Sequence, residues 1–214
     1  MSSSTGLEIL VATRNRGKVR ELQEALRSLP VKLRSLEEFP HVLPIEEVGG
    51  TYEENAVLKA LGYARQTGVC SLADDSGLEV DALGGKPGVQ SARFAGADAT
   101  DTERIERLLA DLSGQPDQNR SARFVCCMAL AGWERTEDAV DRSDPRLLTV
   151  AEAKCEGVIA GGPRGANGFG FDPIFVPTGY DATFAELPSE VKARISHRAL
   201  AFSAIRTSLS QWIA

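Results

Sequence analysis

The opening of the chain limits its fold more than any other stretch. Leu7 to Ala12, LEILVA, is a short apolar run that reads as a buried strand. It runs into a polar turn, Thr13-Arg14-Asn15-Arg16-Gly17-Lys18. Leu22, Ala25, Leu26 and Leu29 then share one helical face, and Pro30 stops the helix because it has no backbone N–H to donate. Val31 to Leu36 reads as a second strand. Strand, loop, helix and strand in that order are the building unit of an α/β fold.

The same grammar continues downstream. Thr51-x-x-Glu54 is a capping box, and Asn55 to Arg65 is predicted as a helix rich in Ala and Leu. Val69 to Ala73 is predicted as a strand that ends in Asp74-Asp75-Ser76-Gly77, with turns at Gly84-Gly85 and Pro87-Gly88. Thr100-x-x-Glu103 caps a further helix carrying Ile105, Leu108, Leu109 and Leu112. Ala122 to Trp133 and Leu147 to Ile159 read as long strands joined by a polar connection, ERTEDAVDRSDPR. Such a pair suits an antiparallel hairpin in a second lobe, at roughly 120–160. Ser189 opens a helical stretch and Ala199 to Ile213 closes the chain as a helix. The length of 214 residues suits one two-lobed domain over 1–214.

Composition narrows the choice of partners. The net charge of −6 argues against a nucleic-acid or membrane surface held by bulk electrostatics, so any phosphate-bearing ligand must be bound locally. The four cysteines include no CxxC pair and there are two histidines, which argues against a zinc site. Cys126 and Cys127 lie inside an apolar run and read as core in a reducing compartment, so the expected location is cytoplasmic. The N-terminus has neither the basic start nor the cleavage site of a signal peptide, and no apolar run is long enough for a membrane helix.

Four segments carry candidate chemistry. Thr13 to Lys18 joins a strand to a helix start, where unpaired N–H groups and a positive dipole end attract phosphate. It lacks the first Gly and the Ser/Thr of a Walker loop, and by itself reads more readily as a plain strand-to-helix turn. Asp74-Asp75 puts two carboxylates side by side, an arrangement that a hard cation such as Mg²⁺ compensates; the alternative is a solvated acidic turn. Glu46-Glu47 offers a further carboxylate. Gly168-Phe169-Gly170-Phe171-Asp172 alternates glycine with aromatics, as a base-stacking loop does, or a tight turn with two core phenylalanines. Lys192 with Ser196-His197-Arg198 offers cations near a helix end for a phosphate or for the acceptor edge of a base, or for the surface alone.

Taken together, VATRNRGKVREL, TYEENAVLKA, LADDSGLEVDALGGKPGVQSARFAG, GFGFDPIFVP and KARISHRALAF closely resemble the Ham1-like inosine triphosphate pyrophosphatases, in that family's order. The resemblance implies two α/β lobes around a long mixed sheet with the active site in a cleft between them. It implies a homodimer that uses Mg²⁺ to hydrolyse deaminated purine nucleoside triphosphates (ITP, dITP, XTP) to the monophosphate and pyrophosphate, keeping them out of DNA and RNA. It places the phosphate loop on Thr13, Arg14, Asn15, Arg16, Gly17 and Lys18, the metal carboxylates on Glu46 and Asp75, and the general base on Asp75 with Ser76 beside it at the substrate. The nucleoside segment falls on Phe169, Gly170, Phe171 and Asp172, and the remaining substrate contacts on Lys192, His197 and Arg198. One departure stands out: the family's loop carries a small or polar residue where this chain has Arg14.

These residues suggest a mechanism. Mg²⁺ on Glu46 and Asp75 would bridge phosphate oxygens, Asp75 would activate water, and Lys18 would stabilise the leaving pyrophosphate. Donors aimed at O6, with His197 and Arg198 as candidates, would favour oxo bases over adenine. Rival readings are a pyrophosphatase or phosphatase for other modified nucleotides, and a nucleotide-binding module without catalysis; the product released separates them.

Overall fold

The computed structural model describes residues 7–114, 120–133 and 144–213. The polar connection predicted after Trp133 lies largely outside them. Six strands form one mixed sheet in the order β2-β1-β3-β4-β5-β6. β1 (Glu8–Val11) pairs in parallel with both β2 (Lys32–Ser35) and β3 (Cys70–Val80). β5 (Arg146–Ile159) pairs antiparallel with β6 (Phe175–Pro177), and β4 (Ser121–Gly132) lies between β3 and β5. The α/β class expected from the opening unit is therefore the class observed.

By its contacts the chain divides into two units. The first comprises 1–75, 127–152 and 201–214. Its helices are α1 (Arg16–Leu26), α2 (Tyr52–Thr67) and most of α5 (His197–Ile213). α1 stops at Leu26, before Pro30, and buries Leu22 and Leu26. Asn15 fixes where it starts: its side chain accepts from the N–H groups of Gly17 and Lys18. α2 opens on the predicted Thr51–Glu54 capping box, three residues before its expected start at Asn55, and closes on Gly68 in the left-handed conformation. Ile9, Leu10, Ala56, Ala60, Leu72, Met128 and Leu130 are completely buried in this unit.

The second unit comprises 76–126 and 153–200. It contains α3 (Asp101–Asp111), α4 (Ser189–Ile195) and the start of α5. Its core gathers Leu78, Val80, Ile105, Leu108, Phe124, Ile174, Phe175 and Phe184. The rings of Phe124 and Phe175 meet edge-on at 4.7 Å between centroids, an arrangement that adds to the area they bury.

The strand predicted to end at Ala73 runs on to Val80 and carries Asp74 and Asp75 within it. Apolar patterning alone marks a carboxylate pair as a strand terminus. Here consecutive residues of a strand face opposite sides of the sheet, and each carboxylate meets a separate lysine, so the ladder continues through them.

All four cysteines are free and buried. Among the described residues no helix is long and apolar enough to cross a membrane.

Candidate active site

In the first unit, polar side chains from four segments converge around Asp74 and Asp75. The Lys18 ammonium, on the first turn of α1, lies 3.0 Å from Asp74 Oδ2, and the Asp74 side chain is completely buried. Asp75 is 5% exposed. Its Oδ1 accepts from Lys59 Nζ at 3.1 Å and its Oδ2 from Asn55 Nδ2 at 3.2 Å. Lys59 and Asn55 lie one helical turn apart on α2, so one face of that helix supplies both partners. Lys59 Nζ also donates to Glu47 at 2.8 Å. Asn55 Oδ1 accepts from Gly49 N at 2.8 Å, which anchors the acidic segment beside Asp75.

Burial and charge set the protonation states. Burial raises the Asp75 carboxyl above the ordinary carboxylate range; Lys59 and Lys18 pull it down and Glu47 pushes it up, and the net direction is upward. Burial opposes the charge on Lys59, but Asp75, Asp74 and Glu47 outweigh it and hold the ammonium above its usual range. A carboxyl raised in this way is a better proton acceptor than a free one, the property required of a general base.

Of the residues expected at the phosphate loop, Gly17 is buried, Thr13 and Lys18 are half-buried, and Arg14, Asn15 and Arg16 are exposed. Asn15 caps α1, so its amide oxygen occupies the place at the helix end that a phosphate oxygen would take. Arg14 donates to the carbonyl of Val42 at 3.1 Å and so ties the loop to the segment that leads to Glu46 and Glu47.

Glu46 is exposed and makes no ion pair among the described residues; its neighbour Glu47 is the one joined to Asp75 through Lys59. Among the described residues no group of three or more His, Cys, Asp or Glu side chains is arranged to hold a metal. Magnesium does not require one, because it takes one or two carboxylates and completes its shell with water and substrate phosphate. A buried Asp75 carboxylate with an acidic pair on the adjoining segment is a hard-oxygen donor set of that kind, in which Lys59 now pairs with both Asp75 and Glu47.

The second unit holds a different cluster. Asp172, 2% exposed, accepts from the backbone N–H of Phe169 at 2.8 Å and from Lys192 Nζ. The Phe169 ring is half-buried, with Lys192 Nζ 4.9 Å and Arg198 Cζ 5.7 Å from its centroid. Arg198 donates to Ser76 Oγ at 3.0 Å. His197 stacks on Phe124 at 4.6 Å with the planes 11° apart. Ser196 caps α5 by accepting from Ala199 N, which puts His197 and Arg198 in the first helical turn. A cation there opposes the helix dipole, and a site that holds Lys192 on Asp172 and sets Lys192 and Arg198 against the Phe169 ring suits an anionic or acceptor-rich ligand.

The expected residues Ser76, Phe169, Gly170, Asp172, Lys192, His197 and Arg198 are thus all in one unit, and Phe169 presents the aromatic face. Phe171 does not: its ring is 4% exposed and belongs to the core. Sequence reasoning missed Lys59, Asn55 and Phe124. Lys59 and Asn55 sit at helical spacing in a segment read as an Ala- and Leu-rich helix and quoted for the family resemblance without a role for either residue, although a lysine and an asparagine on its buried face are signals in themselves.

The Ham1 family profile matches residues 9–208. A dITP/XTP pyrophosphatase of Bacillus cereus is 43% identical over 205 residues, covering 96% of both chains. One of Syntrophobacter fumaroxidans is 47% identical over 203 residues, covering 95% of this chain and 82% of the relative. The solved structure of a HAM1 protein from Coxiella burnetii superposes with a TM-score of 0.81 at 44% identity, covering 96% of this chain and 99% of that one. With a profile spanning nearly its whole length and relatives this similar, the chain belongs to the Ham1 family.

Proposed function

We propose that this protein is a magnesium-dependent nucleoside-triphosphate pyrophosphatase that hydrolyses ITP, dITP and XTP to the monophosphate and pyrophosphate. The observation that carries the reading is the buried Asp75 carboxylate, held by Lys59 and Asn55 in the same cluster as Lys18 and Asp74. Two lysines beside a raised carboxyl offer charge for a polyphosphate and a base for water. The second unit carries an aromatic face, Phe169, with Lys192 and Arg198 over its ring, groups suited to an oxo base. The names of the relatives, dITP/XTP pyrophosphatases, support the same substrate class.

In this mechanism Asp75 accepts the proton of the attacking water, and its raised pKa matches that task. Lys18 leaves Asp74 to meet the phosphate chain, and Lys59 keeps Asp75 oriented. Asp75 with the Glu46-Glu47 pair would hold Mg²⁺, which supplies neutralisation of phosphate charge when bound. His197 and Arg198 donate to O6 of the base, where adenine presents an amino group and leaves them unpaired. Phe169 stacks on the base.

The four free, buried cysteines support a reducing, cytoplasmic setting. The family resemblance supports a homodimer, and the exposed Leu43 and Val48 supply apolar area for one; light scattering tests it.

The decisive assay measures pyrophosphate and orthophosphate released from ITP, XTP, GTP and ATP, with and without Mg²⁺. Pyrophosphate from ITP and XTP, dependent on Mg²⁺ and much slower from ATP and GTP, is the expected result. Orthophosphate as the product, or equal rates on all four, refutes it.

A further inference from the structure

The Phe169–Phe171 loop is held from a direction that the nucleotide reading does not use. Asp101, the first residue of α3, lies 69 positions away in sequence and accepts the backbone N–H of Gly170 on its Oδ2 at 2.7 Å. Its other oxygen, Oδ1, accepts from Arg104 at 2.7 Å, one turn along the same helix. Asp101 is not needed to cap α3. Thr100 accepts from Glu103 N, and Glu103 accepts from Thr100 N, so the helix start is closed without it. The mount is rigid, because Ile105 and Leu108 of the same helix are buried in the core of the unit.

Gly170 needs such a hold. It adopts φ +61°, a left-handed conformation, between the half-buried Phe169 and the buried Phe171. The N–H of Phe169 is taken by Asp172 on the other side. The loop is therefore fixed by two carboxylates acting on successive peptide groups, and the half-buried Phe169 ring takes its orientation from the backbone they hold.

We propose that Asp101, oriented by Arg104, is a positioning residue for base recognition: it fixes the Gly170 peptide and thereby sets the plane of Phe169 on which the base stacks. The proposal rests on the nucleotide reading above. Asp101 touches neither the phosphates nor the reacting atoms in that reading, so its loss weakens substrate binding and leaves the chemical step nearly intact.

The test compares Asp101→Ala with Asp101→Asn, the second retaining an acceptor for the Gly170 N–H. Wild-type turnover of ITP is measured first. For Asp101→Ala we expect KM for ITP to rise by about tenfold, the low end for a half-exposed hydrogen bond to a charged group, with kcat changed by less than about threefold. Asp101→Asn should restore KM to within about threefold of wild type. Exchange of the Gly170 amide with solvent should accelerate in the alanine variant only. A residue serving the stability of α3 alone would lower Tm and leave KM in place. Should Asp101→Ala fail to fold, Asp101→Ser, too short to reach Gly170, takes its place. Unchanged KM in the folded variant, or an equal rise in KM for the alanine and asparagine variants, overturns the proposal alone. Absence of ITP turnover in the wild type overturns the nucleotide reading and the proposal with it.

Discussion

Replacing Lys59 by methionine should destabilise the protein in a pH-dependent way that identifies Asp75 as the cause. Lys59 is 7% exposed, and methionine keeps most of its stem while removing the ammonium. Its loss takes away the largest attractive charge acting on Asp75, which is 5% exposed. Breaking a buried pair by removing one partner costs about 3–5 kcal/mol. The Asn55 hydrogen bond and the field of Lys18 remain, so the lower end, about 3 kcal/mol, is the better expectation. In a chain of this size that corresponds to a fall in Tm of roughly 6–12 °C.

The pH dependence follows from linkage. In the variant the folded-state pKa of Asp75 rises further above its unfolded value. The native state then binds more protons than the unfolded state between those two values, and stability falls as pH rises through that window. The loss should therefore be larger near pH 8 than near pH 5, as roughly expected from proton linkage. Lys59 itself stays charged in both states over this range, because its pKa is raised. Urea denaturation at the two pH values measures the effect, and the double variant Lys59→Met/Asp75→Asn should recover most of it. Equal losses at both pH values, with no recovery in the double variant, would refute the electrostatic account of this cluster.

Asp75→Asn should reduce ITP turnover by about 10²–10⁴-fold, the contribution of one general base, while the fold persists. Gly168→Ala drives a Cβ into the Asp172 carboxylate at φ +77° and should cost about 1–3 kcal/mol in denaturant titrations, together with a raised KM.

How much of this was legible in the sequence depended on whether a residue's role was local. The capping boxes at Thr51 and Thr100 are local hydrogen-bond patterns, and both mark helix starts in the structure. The strand through Asp74-Asp75 was not legible past Ala73, because what permits two carboxylates there is a pair of lysines from two separate helices. Phe169 and Phe171 look alike in sequence, two positions apart in a glycine-rich run, yet one ring is half-buried and the other belongs to the core. Asp101 reads as an ordinary first-turn acid, and only the approach of Gly170 gives it another role. Arg14 marked itself as a departure in the loop, but its partner is a carbonyl 28 residues away that no spacing rule anticipates.

The burial of the four cysteines has a practical consequence. Burial pushes the Cys127 thiol up to about 12 and the Cys155 thiol up to about 11, and Cys70 higher still. At neutral pH the reactive thiolate of Cys155 or Cys127 is then only about one part in ten thousand or less. Alkylating reagents meet almost no nucleophile until the chain opens and the thiols return to ordinary water. Reagent uptake by the native protein thus serves as a clock for unfolding excursions, and a bound nucleotide that holds the structure closed should slow that clock.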